Sequence, residues 1–305
     1  MAATASIRYL DRAAIQTEAW DRCITEASNG LIYGYSWYLD RMTQNWSGLV
    51  LNNYEAVMPL PWKSKWGIRY LYEPFLVAQG GLFAKKADAE MLRQVLSAVP
   101  SSFRWWEFSL NHGNVFALEE FPLHLRSNYV LPLHASYETL CRGYRENIRR
   151  NIRKSVQLSC ITEKGIPLRS VIELAEAFGQ PFRKEDMDRF EGLYATLQEK
   201  GLAQTYGIRS PDGKLLSSCA FLFSHNRAYY ILVGNHPNGR TLGSSHALID
   251  AFIKDHAGRD LVLDFEGSDI RNLAFFYSSF GATEEKYAAI RLNRLPWWMR
   301  WAKKG

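Results

Sequence analysis

The sequence predicts an α/β protein on a sheet of mixed direction, and two observations carry that reading. In the second half an apolar strand (Ile231–Val233), a helix (Ser245–His256) and another strand (Leu261–Phe265) follow one another. This is a parallel step, right-handed by default. Around it, strands at Ala203–Arg209, Leu215–Ser224 and Ala228–Gly234 are joined by short turns, with Pro211-Asp212-Gly213 between the first two. That spacing reads as an antiparallel meander. The first half shows a similar grammar of helices and antiparallel strands. Two similar halves are therefore expected, residues 1–135 and 136–305, the second opening on a basic helix at 137–157.

The elements run as follows. The first half opens with a strand at Ile7–Leu10 and helices at Ala13–Ala27 and Ser36–Trp46. Strand-like runs come next at Gly48–Asn52, Glu55–Trp62, Ile68–Tyr72 and Gln79–Phe83, with Lys63–Gly67 as a hairpin turn. A helix at Ala87–Val99 places Met91, Leu92, Val95, Leu96 and Val99 at helical spacing. Strands at Phe103–Leu110 and Asn128–Leu133 close the half. In the second half the basic helix Tyr137–Gln157 leads to a strand at Leu158–Glu163 and helices at Ser170–Phe178 and Lys184–Lys200. After the meander and crossover, a last helix spans 270–280, with apolar Leu273, Phe276, Tyr277 and Phe280 and Gly281 as its stop.

Composition narrows the class. At 305 residues, 47% hydrophobic and 22% charged, the chain is a folded globular protein. It is long enough to bury about three quarters of its unfolded surface without covalent staples. Cys23, Cys141, Cys160 and Cys219 are widely spaced and read as reduced thiols of a cytoplasmic protein. The first residues lack the apolar stretch of a signal peptide, and no run approaches the ~18 apolar residues of a membrane span. The net charge of +6 points to an anionic partner: nucleotide phosphates, tRNA or lipid headgroups. The histidines lack metal-site spacing, and neither G-x-S-x-G nor G-x-x-x-x-G-K-[ST] is present.

Candidate chemistry concentrates between Tyr229 and Ala282. The loop Gly234–Gly243 precedes a helix that Ser244 or Ser245 can cap; its free N–H groups with Arg240 nearby make an anion site from Arg240, Gly243, Ser244 and Ser245. Asp264 and Glu266 share one face at the carboxyl end of a parallel strand, where ligands of open α/β sheets bind. Either can act as a base, Glu266 being favoured; the alternative is that one caps the next helix or pairs with Arg271. Tyr277 can supply a proton or simply pack as a core tyrosine. On the basic helix, Arg142, Arg145, Arg149 and Arg153 form a stripe opposite Tyr144, Ile148, Ile152 and Val156. Arg149 and Arg153 suit a phosphate, although a solvated face paired with neighbouring acids is the plain alternative. Trp297, Trp298 and Trp301 lie among arginines and lysines, a mixture suited to a membrane interface or to docking on the protein body.

The segment Arg240 to Ser245 resembles the pyrophosphate loop of the GNAT N-acyltransferases, and Phe276 to Ala282 resembles their tyrosine-bearing helix. Ser245 stands where Gly or Ala is usual, Ala282 where Phe is usual, and Ile270 where Asn is frequent. Tyr144 to Ser155, Val57 to Pro74 and Leu263 to Ile270 are similar to the Fem-type branch, including uncharacterised members from Bacteroidetes. The resemblance implies two tandem GNAT-like halves and an enzyme moving an acyl group from acetyl-CoA or another acyl-CoA to an amine, without a metal. In it, Arg240, Gly243, Ser244 and Ser245 hold the donor. Glu266, with Asp264, takes the amine proton, Tyr277 protonates the leaving thiolate, and Arg149 and Arg153 contact substrate phosphate. It also implies alternatives: aminoacyl-tRNA as donor to a peptidoglycan precursor, or a scaffold without catalysis. The acceptor is expected to be a small-molecule or cell-envelope amine, met in the cytoplasm or at the inner membrane surface.

Overall fold

A computed structural model describes residues 6–179, 181–267 and 269–296 of the chain. They divide into two compact units, one holding the residues up to Arg126 and those from Lys286 onward, the other Ser127–Glu285.

The first unit contains β1 (Ile7–Asp11), α1 (Thr17–Glu26), α2 (Ser36–Met42), β2 (Trp46–Leu51), β3 (Ala56–Lys65), β4 (Ile68–Tyr72), β5 (Phe83–Ala84), α3 (Ala89–Ser97) and β6 (Phe103–Ser109). Strands β1 to β4 pair antiparallel in sequence order, and β6 joins β4 in parallel. All six residues of β2 are buried, so the strand is covered on both faces. Helix α3 forms because Asp88 caps it, accepting from the Met91 N–H, and because Leu92, Val95 and Leu96 recur on one face. That face packs with Phe103, Trp106 and Leu110. Two expectations shift here. Residues Arg12–Ala14 make a single 3₁₀ turn ahead of α1, and of the run expected at 79–83 only Phe83 enters a named strand.

The second unit holds the later part of β7 (Leu123–Pro132), then α4 (Tyr137–Arg142), α5 (Glu146–Gln157), β8 (Ile161–Lys164), α6 (Leu168–Phe178), α7 (Lys184–Glu199), β9 (Ala203–Arg209), β10 (Leu215–Ser224), β11 (Arg227–Asn235), α8 (Pro237–Leu242), α9 (Ser244–His256), β12 (Val262–Asp264), α10 (Arg271–Ser278) and the start of β13 (Thr283–Asn293). Its strand order is β7-β12-β11-β10-β9-β8. The β11–β12 pairing is parallel and the others antiparallel, as the crossover through α9 requires. Phe252 of α9 stacks on Phe221 of β10 at 3.8 Å between centroids, and Tyr206 of β9 meets both edge-on. Strand β13 carries the chain back to the first unit, where Ala289–Asn293 pair with β6.

Two local expectations are corrected. The basic helix is not continuous: it breaks between α4 and α5. Gly143 lies so close to Gly281 that a Cβ on Gly143 would sit 3.9 Å from the Gly281 Cα, and the Arg145 N–H donates to Ser279 O at 2.9 Å. These tertiary contacts override the helical propensity of the run. The arginines therefore do not share one stripe. The stretch read as the loop Gly234–Gly243 contains a helix, Pro237–Leu242, with proline at its start and Gly243 at φ +73° as its C-cap.

Candidate active site

Strand β12 is short, and β11 runs on past its end. Their parallel register covers Arg227–Tyr229 against Val262–Asp264 and stops there. Strand β11 continues to Asn235 with a bulge: its pairing with β10 slips one residue between Ile231↔Ala220 and Gly234↔Ser218. Leu232, inside the slip, has φ +49°, a left-handed conformation rare for leucine. A bulge bends its strand, and the carboxyl ends of parallel strands are where an open α/β sheet receives a ligand.

At the end of β12, Asp264 is 2% exposed and fully engaged. Arg227 Nη1 donates to one carboxylate oxygen at 2.7 Å; Asn128 Nδ2 and the Glu266 N–H donate to the other, each at 2.9 Å. Arg227 also grips both oxygens of Glu285, at 2.9 and 2.8 Å. Burial works against the Arg227 charge, and the two carboxylates more than offset it, holding its pKa above the usual value. Arg227, Asn128 and Glu285 were not singled out from the sequence. The available signal was Arg227 opening a strand whose parallel partner ends in a carboxylate.

Glu266 follows with φ +64° and Gly267 with φ +85°, so the chain turns sharply just past the sheet. Part of the Glu266 surface meets solvent, but its carboxyl is enclosed, and burial pushes its pKa up to about 8. Tyr277, on α10, is 8% exposed and stacked on Phe265 at 4.5 Å with planes 21° apart. Burial, and then the negative charge of Glu266, push its phenol up to about 12. The structure thus brings Glu266 and Tyr277 within electrostatic reach of each other. Asp264 sits beneath them as part of a closed polar network.

The α8–α9 elbow is tightly built. A Cβ on Gly243 would lie 2.3 Å from the Asn151 carbonyl oxygen of α5, so close approach as well as the positive φ demands glycine. Ser244 is fully buried, its hydroxyl 2.5 Å from that of Ser217. Ser217 and Ser245 both donate to Asn235 Oδ1, at 2.8 and 2.6 Å. Neither Ser244 nor Ser245 caps α9; Gly243 occupies the N-cap and no side chain bonds there. The hydroxyls tie α9 to β10 and β11, and within the first turn the N–H groups of His246 and Ala247 both donate to the Gly243 carbonyl at 3.1 Å. The side chain of Arg240 lies outside the described residues, as do Trp297, Trp298 and Trp301.

Arg149 and Arg153 lie on α5, one turn apart, and both pair with Glu146. Arg149 also donates to the carbonyls of Arg142 at 2.9 Å and Cys141 at 3.3 Å. Arg145 is drawn away, its guanidinium 4.7 Å from the Phe275 ring centroid. Among the described residues no helix is long and apolar enough to cross a membrane.

No protein-family model matches the sequence, and no curated protein matches it. Solved structures do match. The chain is similar to FemX, with TM-score 0.65 and 13% identity over 93% of this chain and 97% of the other. It is also similar to a conserved protein of unknown function from Bacteroides thetaiotaomicron VPI-5482, with TM-score 0.57 and 11% identity over 94% and 100%. A tandem GNAT protein from the clavulanic acid biosynthesis pathway matches with TM-score 0.54 and 11% identity over 96% and 99%. At these identities the likeness establishes the fold: a Fem-type fold of two tandem GNAT-like halves.

Proposed function

We propose that the protein is an N-acyltransferase that moves an acyl group from an acyl-CoA thioester to an amine by direct attack in a ternary complex. The observation that carries this reading is the electrostatic coupling of Glu266, just past the end of β12, to the Tyr277 phenol. A carboxyl held near 8 is ionised above that pH and there binds a proton strongly enough to take one from an ammonium. A phenol held near 12 keeps its proton through that range and has it to give. Such opposite protonation states at one pH are what acid–base division of labour needs.

In the proposed sequence the Glu266 carboxylate takes the proton of the incoming ammonium. The freed amine nitrogen bonds to the thioester carbonyl carbon. As the carbon–sulfur bond breaks, the Tyr277 hydroxyl gives its proton to the departing thiolate. Asp264, already saturated by Arg227, Asn128 and the Glu266 N–H, positions Glu266 and does not itself take the proton. Arg240, Gly243, Ser244 and Ser245 are assigned to the donor's phosphates. The part of Ser244 and Ser245 is played through their backbone N–H groups at the positive end of α9, since the serine hydroxyls are committed to Ser217 and Asn235. Gly243, whose N–H is taken by the Gly239 carbonyl, serves by its close approach. Orientation of the two substrates supplies most of the rate, with a modest acid–base contribution.

A second reading keeps the fold and takes aminoacyl-tRNA as donor. Its support is the set of exposed cations on α5, Arg149, Arg150, Arg153 and Lys154. Phosphate contacts of that kind bind tRNA in a salt-sensitive manner. Calorimetry with acyl-CoAs of increasing length and with charged tRNA separates the two. Acyl-CoA binding that is insensitive to added tRNA supports the first. Salt-dependent tRNA binding without any acyl-CoA response supports the second.

A further inference from the structure

We infer that the second unit holds another small-molecule site, between α4, α5 and α9, for a zwitterion whose ammonium meets Asp250 and whose acid group meets Arg149 and Arg153. A pocket of ≈ 370 Å³ opens there, lined by Tyr137, Cys141, Tyr144, Arg149, Arg153 and Asp250 among others. At about 30 Å³ per water-sized group, it has room for about a dozen heavy atoms. The inference does not rest on the acyl-transfer reading.

The inner end calls for a cation. Asp250 is 8% exposed, and Tyr137 Oη shares its proton between the two carboxylate oxygens at 3.0 and 3.1 Å. Burial lifts the Asp250 carboxyl above its usual range against the Tyr137 and Tyr144 hydroxyls and the charge of Lys254, which hold it down. Beside it, Tyr144 is 4% exposed, its ring fixed edge-on to Phe280 at 5.4 Å, and its hydroxyl faces the Asp250 carboxylate from beyond close hydrogen-bond distance. A phenol whose O–H faces Asp250 still has lone pairs to accept with, and buried polar groups are nearly always paired, so a donor entering the pocket completes the Tyr144 oxygen. An ammonium offers N–H donors to the Asp250 carboxylate and to the Tyr144 oxygen together.

The outer end calls for an anion. Glu146 holds the Arg149 and Arg153 guanidiniums side by side, and with five N–H donors each they retain capacity for a second acid. Ile152 and Cys141 supply wall between the two ends. A simple anion entering this pocket meets the Asp250 charge, and a simple cation meets the arginines. A molecule carrying both charges is complementary to both.

Titration calorimetry with ω-amino acids from glycine to 6-aminohexanoate measures the span, with butylamine and butyrate as half-probes. The expected result is that one chain length binds at least tenfold more tightly than either half-probe. Asp250→Asn, which still accepts from Tyr137, is expected to cost at least tenfold in that affinity. Arg149→Gln is expected to weaken the amino acid but not butylamine. An independent readout covers the case in which Asp250→Asn fails to fold: alkylation of Cys141 in the wild-type protein, followed by mass spectrometry. The bound amino acid is expected to slow Cys141 at least threefold and to leave Cys160 unchanged. No chain length exceeding its half-probes, binding that survives Asp250→Asn, or Cys141 alkylation unaffected by saturating ligand would each overturn the inference.

Discussion

The backbone N–H of Glu266 donates to Asp264 Oδ1 at 2.9 Å, two residues back along the chain. This bond holds Glu266 at φ +64°, a conformation that costs a non-glycine residue on the order of 1–3 kcal/mol and persists only where its surroundings over-determine it. Arg227 supplies that constraint by locking Asp264 and Glu285 together. The proposed base is therefore aimed by a second carboxylate that takes no proton itself.

Asp264→Asn separates aiming from proton transfer. The amide keeps an oxygen for the Glu266 N–H but loses the ion pair with Arg227. A loss of about 3 kcal/mol in urea unfolding is expected from weakening a buried charge network. The rising limb of the pH–rate profile near 8 should stay in place, since it belongs to Glu266. Its disappearance in a folded Asp264→Asn protein would assign the proton to Asp264.

Glu266→Gln tests the base through stability as well as rate. The folded protein holds the Glu266 proton up to about pH 8, whereas an unfolded glutamate loses it near about 4.3. Between those values the unfolded chain binds fewer protons, so this group's contribution to stability declines as pH rises from about 5 to about 8. The amide variant should lack that decline and be more stable than wild type, by on the order of a few kcal/mol, at pH 9 but not at pH 4. Its transfer rate should fall by about 10²–10⁴. Equal slopes of stability against pH in the two proteins would show that Glu266 does not titrate in this window.

Tyr277→Phe preserves the ring that stacks on Phe265 and removes only the hydroxyl. Thermal unfolding should move by less than about 1 kcal/mol in stability. The transfer rate at neutral pH should fall by about 10² or more, the typical contribution of a general acid. An unchanged rate at every pH would leave Tyr277 as a packing residue.

Two substitutions at the α8–α9 elbow should behave in opposite ways. Gly243→Ala forces a Cβ against the Asn151 carbonyl at a left-handed backbone position and should destabilise by about 1–3 kcal/mol. Ser245→Glu places an acid in the first turn of α9, where the helix end favours it by about 0.3–1 kcal/mol, offsetting the lost bond to Asn235. Thermal unfolding should then change little, while calorimetry shows acyl-CoA affinity reduced at least tenfold by charge repulsion. Undiminished affinity would move the donor's phosphates away from the elbow.

Much of this architecture is legible along the chain, because alternation and helical spacing are local. The meander from Ala203 to Gly234 and the crossover through α9 follow from residue type and period, whereas the last helix ends at Ser278 with Ser279 as its C-cap, ahead of Gly281. What is hidden depends on distant partners. The break between α4 and α5 is set by Gly281 and Ser279, more than a hundred residues on. The β11 bulge at Leu232 carries no glycine to announce it. The return of β13 to the first unit is a long-range pairing that composition does not register. At the site, Glu266 and Tyr277 stood out by their position after a strand and on an aromatic helix. The commitment of Asp264 did not, because it is made by Arg227 and Asn128 from other strands.

Isothermal titration of the wild-type protein and Ser245→Glu with acetyl-CoA, longer acyl-CoAs and charged tRNA decides whether the second unit holds an acyl thioester. At least one acyl-CoA is expected to bind the wild type in the micromolar range and the variant at least tenfold more weakly. Binding of charged tRNA with no response to any acyl-CoA, or no response to any donor, would contradict the acyl-CoA N-acyltransferase.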